Sequence, residues 1–132
     1  MSQENVEIVR RGHEAFQRGD LTAMLELLDP EVVSYVAVPL ADPGEYHGPE
    51  GVLEMFANWT EGFDDYVQEA EEYIEAGDHV IARVFQHGTG TLSGVPVERR
   101  FWFLHTLREG KLVRMGVHTS EEQALEVAGL SE

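Results

Sequence analysis

The sequence contains no cysteine, so it can form neither disulfide bonds nor thiolate metal sites. It is also poor in positive charge, because 9 lysines and arginines stand against 25 aspartates and glutamates, for a formal net charge of −16. A surface of that sign repels phosphate backbones and anionic lipid headgroups. We therefore expect neither a nucleic-acid partner nor a membrane partner, and we interpret the acid excess as a source of solubility.

Long hydrophobic runs are missing as well. No run approaches the ~20 consecutive apolar residues that cross a bilayer, and the polar, acidic stretch Ser2–Glu7 does not resemble a signal peptide. Together with the lack of cysteine, this pattern predicts a cytoplasmic protein. Internal repeats, low-complexity tracts and linkers are missing too, so the 132 residues are expected to form a single domain, 1–132.

The N-terminal half of the sequence predicts two helices, a strand and a third helix. The first helix begins after Ser2 and ends at Gly19, and the second covers Leu21–Leu28, with Asp20 as its cap. Asp29-Pro30 is expected to end the second helix. A strand (Val32–Val38), a loop (Pro39–Gly48) over the mouth of a cavity, and a helix starting at Gly48-Pro49 follow, with an apolar stripe of Val52, Phe56, Trp59 and Phe63.

The C-terminal half predicts four successive antiparallel strands and a short final helix. The strands are expected at Tyr66–Glu75, Ala76–Gly90, Val95–Glu109 and Gly110–His118, with turns at Ala76-Gly77-Asp78, Ser93-Gly94 and Glu109-Gly110. The last helix begins at a capping box, Ser120–Gln123, and stops at Gly129, with Leu130 placed for a Schellman contact.

The resulting order of elements predicts an α+β fold. A curved antiparallel sheet would wrap around the N-terminal helices and form a cone with a central pocket. Both faces of the strand Val95–Glu109 are partly apolar. Since the helices of so short a chain are expected to cover one face only, the other face is a candidate dimer interface.

Several segments in this order make the chain resemble the SnoaL-like branch of the nuclear transport factor two-like superfamily. The segments are Phe16–Leu21, Leu28–Val32, Tyr46–Val52, Ala76–Asp78, Thr106–Met115 and Glu121–Leu130. The resemblance covers nearly the whole chain and implies the cone-shaped fold and a homodimer formed through the convex face of the sheet. It implies no single activity, because the superfamily includes ketosteroid isomerases, polyketide cyclases, limonene epoxide hydrolase, dehydratases and non-catalytic binding and transport modules.

The resemblance also allows a test for isomerase-type chemistry. Ketosteroid isomerases hold an oxyanion with a tyrosine and a protonated aspartic acid, and they use an aspartate as the base. The corresponding positions in this sequence fall at or near Gly12, Phe103 and Val36. A shift of one residue would bring Tyr35 or His13 into question. The usual residues for steroid isomerisation are therefore not expected here.

The same comparison predicts which side chains face the cavity. It places Ile81, Arg83, Phe85 and His87 on the concave face of one strand, and Arg99, Phe101, Phe103 and His105 on that of the next. The catalytic candidates are His105, His87 and Arg83, since a histidine can transfer protons and an arginine can hold an enolate or carboxylate oxygen. The ligand-binding candidates are Tyr35, Tyr46, Trp59, Phe85, Arg99, Phe101, Phe103 and Met115.

Each candidate also has a purely structural interpretation. His105 can be a core histidine bonded to a backbone carbonyl, His87 can be solvated, and Arg83 or Arg99 can pair with one of the many carboxylates. No His-x-His, His-x-x-x-His or His-Glu-x-x-His spacing occurs, so neither a metal nor another cofactor is predicted.

Three functions are compatible with these observations. The first is a cofactor-independent cyclase, isomerase or dehydratase acting by acid–base catalysis on an apolar carbonyl compound. The second is a module that binds a small apolar molecule without changing it, and the third is a dimeric interaction module. A roomy cavity with paired histidine and arginine would favour catalysis, purely apolar walls would favour binding, and a filled cavity would favour the interaction module.

Overall fold

A computed structural model describes residues 2–37 and 45–129. The helices are α1 (Ser2–Arg18), α2 (Leu21–Leu25), α3 (Gly48–Thr60) and α4 (Glu121–Val127), and the strands are β1 (Leu28–Ala37), β2 (Glu45–His47), β3 (Phe63–Ala76), β4 (His79–Gly90), β5 (Pro96–Arg108) and β6 (Lys111–His118). The predicted α+β class and the predicted order of elements are confirmed, with one strand, β2, in addition.

The six strands form one curved, open sheet in the order β2-β1-β6-β5-β4-β3. Four of its five neighbouring pairs are antiparallel, while β1 runs parallel to β6. The chain reaches this parallel pairing by passing through β2, α3 and the three long strands before it returns to the centre of the sheet. The helices α1 and α2 come before β1 in the chain, and α3 lies between β2 and β3. All three helices pack on the concave face of the sheet.

The N-terminal helices differ from the prediction in one respect. Gly19 ends α1 with a φ of +77°, and the Asp20 carboxylate accepts a hydrogen bond from the Ala23 N–H, as predicted for the cap of α2. The predicted extension of α2 to Leu28 is wrong, because Leu28 already pairs with Leu112 of β6. Pro30 then lies within β1, at an irregularity between Leu28 and Val33 where its missing N–H is tolerated.

The segment around α3 contains the strand that the sequence did not reveal. Glu45–His47 was predicted as loop, but it pairs with β1. A strand of only three residues shows too little alternation to be recognised. The prediction that α3 starts at Gly48-Pro49 is confirmed, but α3 ends at Thr60, so that Phe63 belongs to β3. The rest of the predicted loop, with Val38, and also Leu130, lies outside the described residues.

Helices cover both faces of the sheet, which corrects the expectation that they cover one. The main core lies on the concave face between the sheet and α1, α2 and α3. On the convex face, Ala124 of α4 packs on Ile81 and Leu104, with Ile74, Trp102, Leu125 and Ala128 around them. The helix is short, so it covers only part of that face. Within the described ranges, no helix is long and apolar enough to cross a membrane.

Candidate functional site

The register between β4 and β5 decides which side chains face the interior. Ala82 lies opposite Phe103, and Val84 lies opposite Phe101, so these four residues share the concave face. Arg83 lies opposite Trp102 and belongs to the convex face. The predicted concave placement of Ile81, Arg83, Phe85 and His87 is therefore wrong, since one residue of register reverses every side chain of a strand.

The residues that were predicted on the concave face but lie on the convex face have structural partners there. The Arg83 guanidinium lies 3.2 Å from a carboxylate oxygen of Glu71 and 3.2 Å from one of Glu72. The His87 ring lies 3.2 Å from a Glu69 carboxylate oxygen. The Phe85 ring stacks under the Arg100 guanidinium at 4.8 Å. Arg83 and His87 thus belong to a surface network of charges on the face of the sheet opposite the cavity.

A cavity of about 70 Å³ lies between the helices and the concave face of the sheet. Three of the predicted site residues line it, namely Phe103, His105 and Met115. Most of the remaining wall is apolar, and its polar members are His13, Gln68 and Tyr73. Drug-sized ligands occupy pockets of roughly 300 Å³ or more, so this space suits a smaller molecule or one group of a larger one. The apolar wall residues are Ile8, Val9, Phe16, Met24, Leu27, Leu28, Val52, Phe56, Ala82, Val84 and Leu112, with Gly12 beside them.

His105 presents a neutral imidazole to this cavity. It is only 8% exposed, and its Nδ1 lies 3.1 Å from the Val80 carbonyl oxygen. Because a carbonyl oxygen can only accept, Nδ1 carries the hydrogen and Nε2 keeps its lone pair. Burial lowers the pKa of His105 to about 4, and the nearby His13 acts in the same direction, while the Val80 carbonyl opposes them. The predicted contact of a core histidine with a backbone carbonyl is therefore present, and in this tautomer Nε2 is the acceptor of the ring.

His13 is the second imidazole of the cavity wall. Its Nε2 accepts a hydrogen bond from the Ala70 N–H at 3.1 Å, which places the hydrogen of the neutral ring on Nδ1. Burial lowers its pKa, and the Gln68 backbone and the Glu14 charge partly offset that effect. No site role for His13 was predicted from the sequence. The available signal was its place in the apolar stripe of α1, between Val9 and Phe16.

Both tyrosines predicted as cavity walls lie elsewhere. Tyr35 is on the convex face, where Gly116 leaves room for its ring and its hydroxyl lies 2.7 Å from His118 Nε2. Tyr46 belongs to the edge strand β2 and packs against Gly51 at the start of α3. In β1 the cavity-side positions are Val32, Ser34 and Val36, which are buried. The alternation of β1 therefore turns Tyr35 away from the cavity.

Trp59, Phe101 and Arg99 form a layer next to the cavity but do not line it. The Trp59 and Phe101 rings meet edge to face at 5.0 Å, and the Arg99 guanidinium lies 5.2 Å from the Phe101 ring and 5.6 Å from that of Trp59. The Trp59 N–H donates to the Tyr66 hydroxyl and the Gln86 Oε1. A ligand-binding role for Trp59 was predicted from the sequence, but Tyr66, Gln68 and Gln86 were not, since ordinary alternation gives a glutamine no distinguishing pattern.

The arrangement permits hydrogen bonding and proton transfer more readily than metal chemistry. Within residues 2–37 and 45–129, no three His, Asp or Glu side chains are grouped as metal ligands would be. Two neutral imidazoles in an apolar cavity can instead bind a neutral polar group, one ring through a lone pair and the other through an N–H.

Comparisons with known proteins agree with this geometry. A family model described as a SnoaL-like domain matches residues 9–115. No functionally curated protein matches the sequence significantly. An NTF2-like protein from Burkholderia thailandensis is 24% identical with a TM-score of 0.79, over 97% of both chains.

Two further solved structures are similar over nearly their whole length. A putative SnoaL-like polyketide cyclase from Jannaschia sp. CCS1 is 23% identical with a TM-score of 0.78, over 99% of this chain and 94% of that one. TerC, co-crystallised with polyporic acid, is 22% identical with a TM-score of 0.77, over 96% and 97%. At such identities the likeness shows the shared fold alone. The family model spans most of the chain, and the chain therefore belongs to the SnoaL-like domain family.

Proposed function

We propose that this protein binds a small, mostly apolar, uncharged molecule in the cavity beside His105 and His13. The observation that carries the proposal is a largely apolar cavity whose wall includes two imidazoles that burial keeps neutral. Arginine and lysine do not occur among the described residues that line the cavity, so an anionic ligand would find no counter-ion among them. The complex of TerC, a protein of similar fold, with polyporic acid supports the coarser point that this fold can hold a small molecule.

The first test is recovery of a ligand from the purified protein. Native mass spectrometry followed by denaturing extraction should find a small apolar compound in the wild type. Ala82 is 2% exposed and lines the cavity, so Ala82→Ile fills the space and should abolish retention. Phe85→Leu is the matched control, since Phe85 lies on the other face of the same strand. Retention by Ala82→Ile, or no binding of any small ketone, alcohol or hydrocarbon by the wild type, would contradict the proposal.

Acid–base catalysis is the second candidate function. The specific observation in its favour is that His105 and His13 line one cavity and that His13 contributes to the lowered pKa of His105. His105 would accept a proton through Nε2 from a carbon next to a carbonyl, as in a cofactor-independent isomerase, cyclase or dehydratase. A pKa of about 4 makes this imidazole a weak proton acceptor. We therefore place binding before catalysis.

Deuterium exchange separates the two candidates. In deuterated buffer, a catalytic His105 should speed the exchange of the hydrogens beside the carbonyl of cyclopentanone. Proton NMR measures the rate of that exchange. His105→Asn, which can still donate to the Val80 carbonyl, should remove the acceleration. His87→Asn should retain it, because His87 lies on the convex face. Equal exchange with and without protein would reject catalysis and leave the binding proposal standing.

The homodimer implied by the family resemblance is retained as a proposal. The part of the convex face beyond α4 carries Phe85, which is half-buried, and Val67, which is 38% exposed. Trp102→Glu is a poor test, because Trp102 packs beside α4 and the change would disturb that helix. Phe85→Glu should instead convert the dimer to a monomer in light scattering, whereas Leu92→Glu, at a fully exposed turn, should not. A wild type of monomeric mass would refute the dimer.

The predicted cytoplasmic location and the predicted independence of cofactors likewise stay predictions.

A further inference from the structure

An open groove of about 580 Å³ lies beside the N-terminal end of α1. Residues of α1 form one of its walls. The other wall consists of Asp78, in the turn between β3 and β4, and of residues 107–110 at the turn between β5 and β6. The Leu107 N–H donates to the Asp78 carbonyl oxygen at 2.9 Å, so the two turns are held together. The groove therefore has a wall of fixed shape.

The order of side chains along β5 places this groove next to the cavity. Alternate residues of the strand face the concave side. Phe101 lies in the layer with Trp59. Phe103 and His105 line the cavity, and Leu107 lines the groove. Because a strand rises about 3.3 Å per residue, Leu107 follows His105 by only about 7 Å along the strand. The cavity thus has the packed Trp59 layer at one end and the groove at the other.

Ile8 of α1 lines both the cavity and the groove. Residues four apart share one face of a helix, and Ile8, Gly12 and Phe16 follow that spacing along the cavity. Toward the N-terminus, Glu4, Ile8 and Arg11 continue the same face along the groove. The cavity and the groove are therefore two stretches of one helix face that meet at Ile8. This side chain is aliphatic and half-buried, so a change of rotamer can widen the point where they meet.

The sizes of the two spaces favour a ligand that uses both. The cavity alone, at about 70 Å³, holds only a small group, whereas pockets for drug-sized molecules have roughly 300 Å³ or more. The groove exceeds that size, but it is open to solvent and does not surround a ligand by itself. Apolar burial in the cavity would anchor one end of a longer molecule. The rest of the molecule would pass the aliphatic side chains of Ile8 and Leu107 before it reaches polar groups.

The polar side chains of the groove carry both signs of charge. Asn5 supplies an amide, and the charged members are Glu4, Glu7, Asp78 and Glu109 against Arg11 and Arg108. A hydroxyl or an amide both donates and accepts hydrogen bonds, so it finds partners of either kind there. A carboxylate would meet an excess of negative charge, both in the groove and over a chain of net charge −16. The groove therefore suits a hydrogen-bonding group without negative charge.

We propose that the groove binds the polar end of a ligand whose apolar end occupies the cavity, so that the ligand is an elongated amphipathic molecule such as an aliphatic alcohol or amide. The inference rests on the proposed function and extends it to a second binding region. Ile8 lies on the path between the two regions and determines how fast such a ligand enters and leaves. Passage at the other end of the cavity would require breaking the hydrogen bonds from the Trp59 N–H to Tyr66 and Gln86.

The first test follows both ends of one bound molecule by NMR of the wild-type protein. The methyl groups of Met24 and Met115 report on the cavity, and the side-chain NH₂ of Asn5 reports on the groove. Addition of 1-octanol should shift all three signals along a single binding curve, whereas 1-propanol should shift the methionine signals alone. The Asn58 NH₂ is the internal control, because Asn58 lies on α3 and is the only other asparagine of the sequence.

The second test separates passage at Ile8 from a general loosening of α1. Ile8→Ala should speed the release of 1-octanol by about tenfold, because it removes most of the side chain between the two regions. Val6→Ala is the matched control, since Val6 also packs against the core from α1 but is not among the described residues that line the cavity or the groove. The line shape of the Met115 methyl signal gives the release rate, and calorimetry checks that both variants fold.

The outcomes distinguish the groove from the cavity. If 1-octanol shifts the methionine signals but leaves Asn5 unmoved, or moves it along a different binding curve, the groove is not part of the site while cavity binding stands. Equal release rates in Ile8→Ala and Val6→Ala would refute passage at Ile8. Octanoate should bind more weakly than 1-octanol, and tighter binding would refute the proposed character of the polar end. If neither alcohol shifts the methionine signals, the proposed function fails and the groove assignment fails with it.

Discussion

At the scale of single residues, burial is the main cause of the lowered pKa values of three histidines. The pKa values of His105, His13 and His118 are all lowered, with desolvation as the main cause. All three are therefore held in the neutral form, in which one ring nitrogen is a donor and the other an acceptor. Their use as fixed hydrogen-bonding groups follows from that state.

The folded protein should lose stability in mild acid because of His105. Its pKa is about 4 in the folded state, against 6.5 when exposed, so the unfolded chain binds the proton first. Stability is fully present above pH 6.5 and falls as the pH drops toward 4, by about 3 kcal/mol in total for this residue. Urea unfolding at several pH values measures the loss.

The variant His105→Asn isolates that contribution. Its amide can keep the hydrogen bond to the Val80 carbonyl but cannot take up a proton, so its stability should depend less on pH over the same range. A weaker dependence should remain from His13 and His118, whose pKa values are also lowered. Identical slopes for the variant and the wild type would show that His105 does not carry the effect.

At the scale of helices and strands, a hydrogen-bonded chain ties α4 to the convex face. The Tyr35 hydroxyl lies 2.7 Å from His118 Nε2, and His118 Nδ1 lies 2.9 Å from Gln123 Oε1 at the start of α4. His118 is 1% exposed, so its two nitrogens depend on these partners. Since Gln123 Oε1 can only accept, His118 donates from Nδ1 and accepts from the Tyr35 hydroxyl.

Tyr35→Phe should therefore destabilise the protein by about 1–2 kcal/mol, because it leaves the buried His118 Nε2 without a donor. Amide hydrogen exchange should increase in α4 more than in α1. Tyr46→Phe is the control, since within residues 2–37 and 45–129 the Tyr46 hydroxyl has only a long contact of 3.4 Å with Asn58. Equal stability of the two variants would mean that the chain does not hold α4.

The elements were largely predictable from the sequence, but the cavity wall was not. Caps, turns and alternation indicate the helices and long strands, and they correctly place Phe103 and His105 on the core side of β5. In β4, apolar residues occupy both faces: Val80 and Val84 point to the concave face and Ile81 to the convex face. Alternation alone cannot choose between two apolar faces, and only the pairing with β5 determines which residues enter the cavity.

At the scale of the whole molecule, excess negative charge is the dominant long-range effect. With 25 acidic and 9 basic residues, repulsion acts against the compact state. Raising the ionic strength from about 0.01 M to about 0.15 M shortens the screening length and should raise the Tm at pH 7. Differential scanning calorimetry measures this change in Tm. A Tm that falls with salt would indicate that favourable ion pairs, such as those of Glu71, outweigh the repulsion.

The position of β3 at the end of the sheet has a further consequence for self-association. An edge strand of 14 residues has backbone groups on its outer side with which another chain could pair, although His13 and Gln17 of α1 already bind the Ala70 N–H and the Gln68 carbonyl. This strand carries Asp64, Asp65, Glu69, Glu71, Glu72 and Glu75, and its pairing with β4 is interrupted by two irregularities. Carboxylates and bulges together discourage a second copy from extending the sheet. The acidic composition therefore also protects against amyloid-like stacking, and this protection is lost when the carboxylates are protonated.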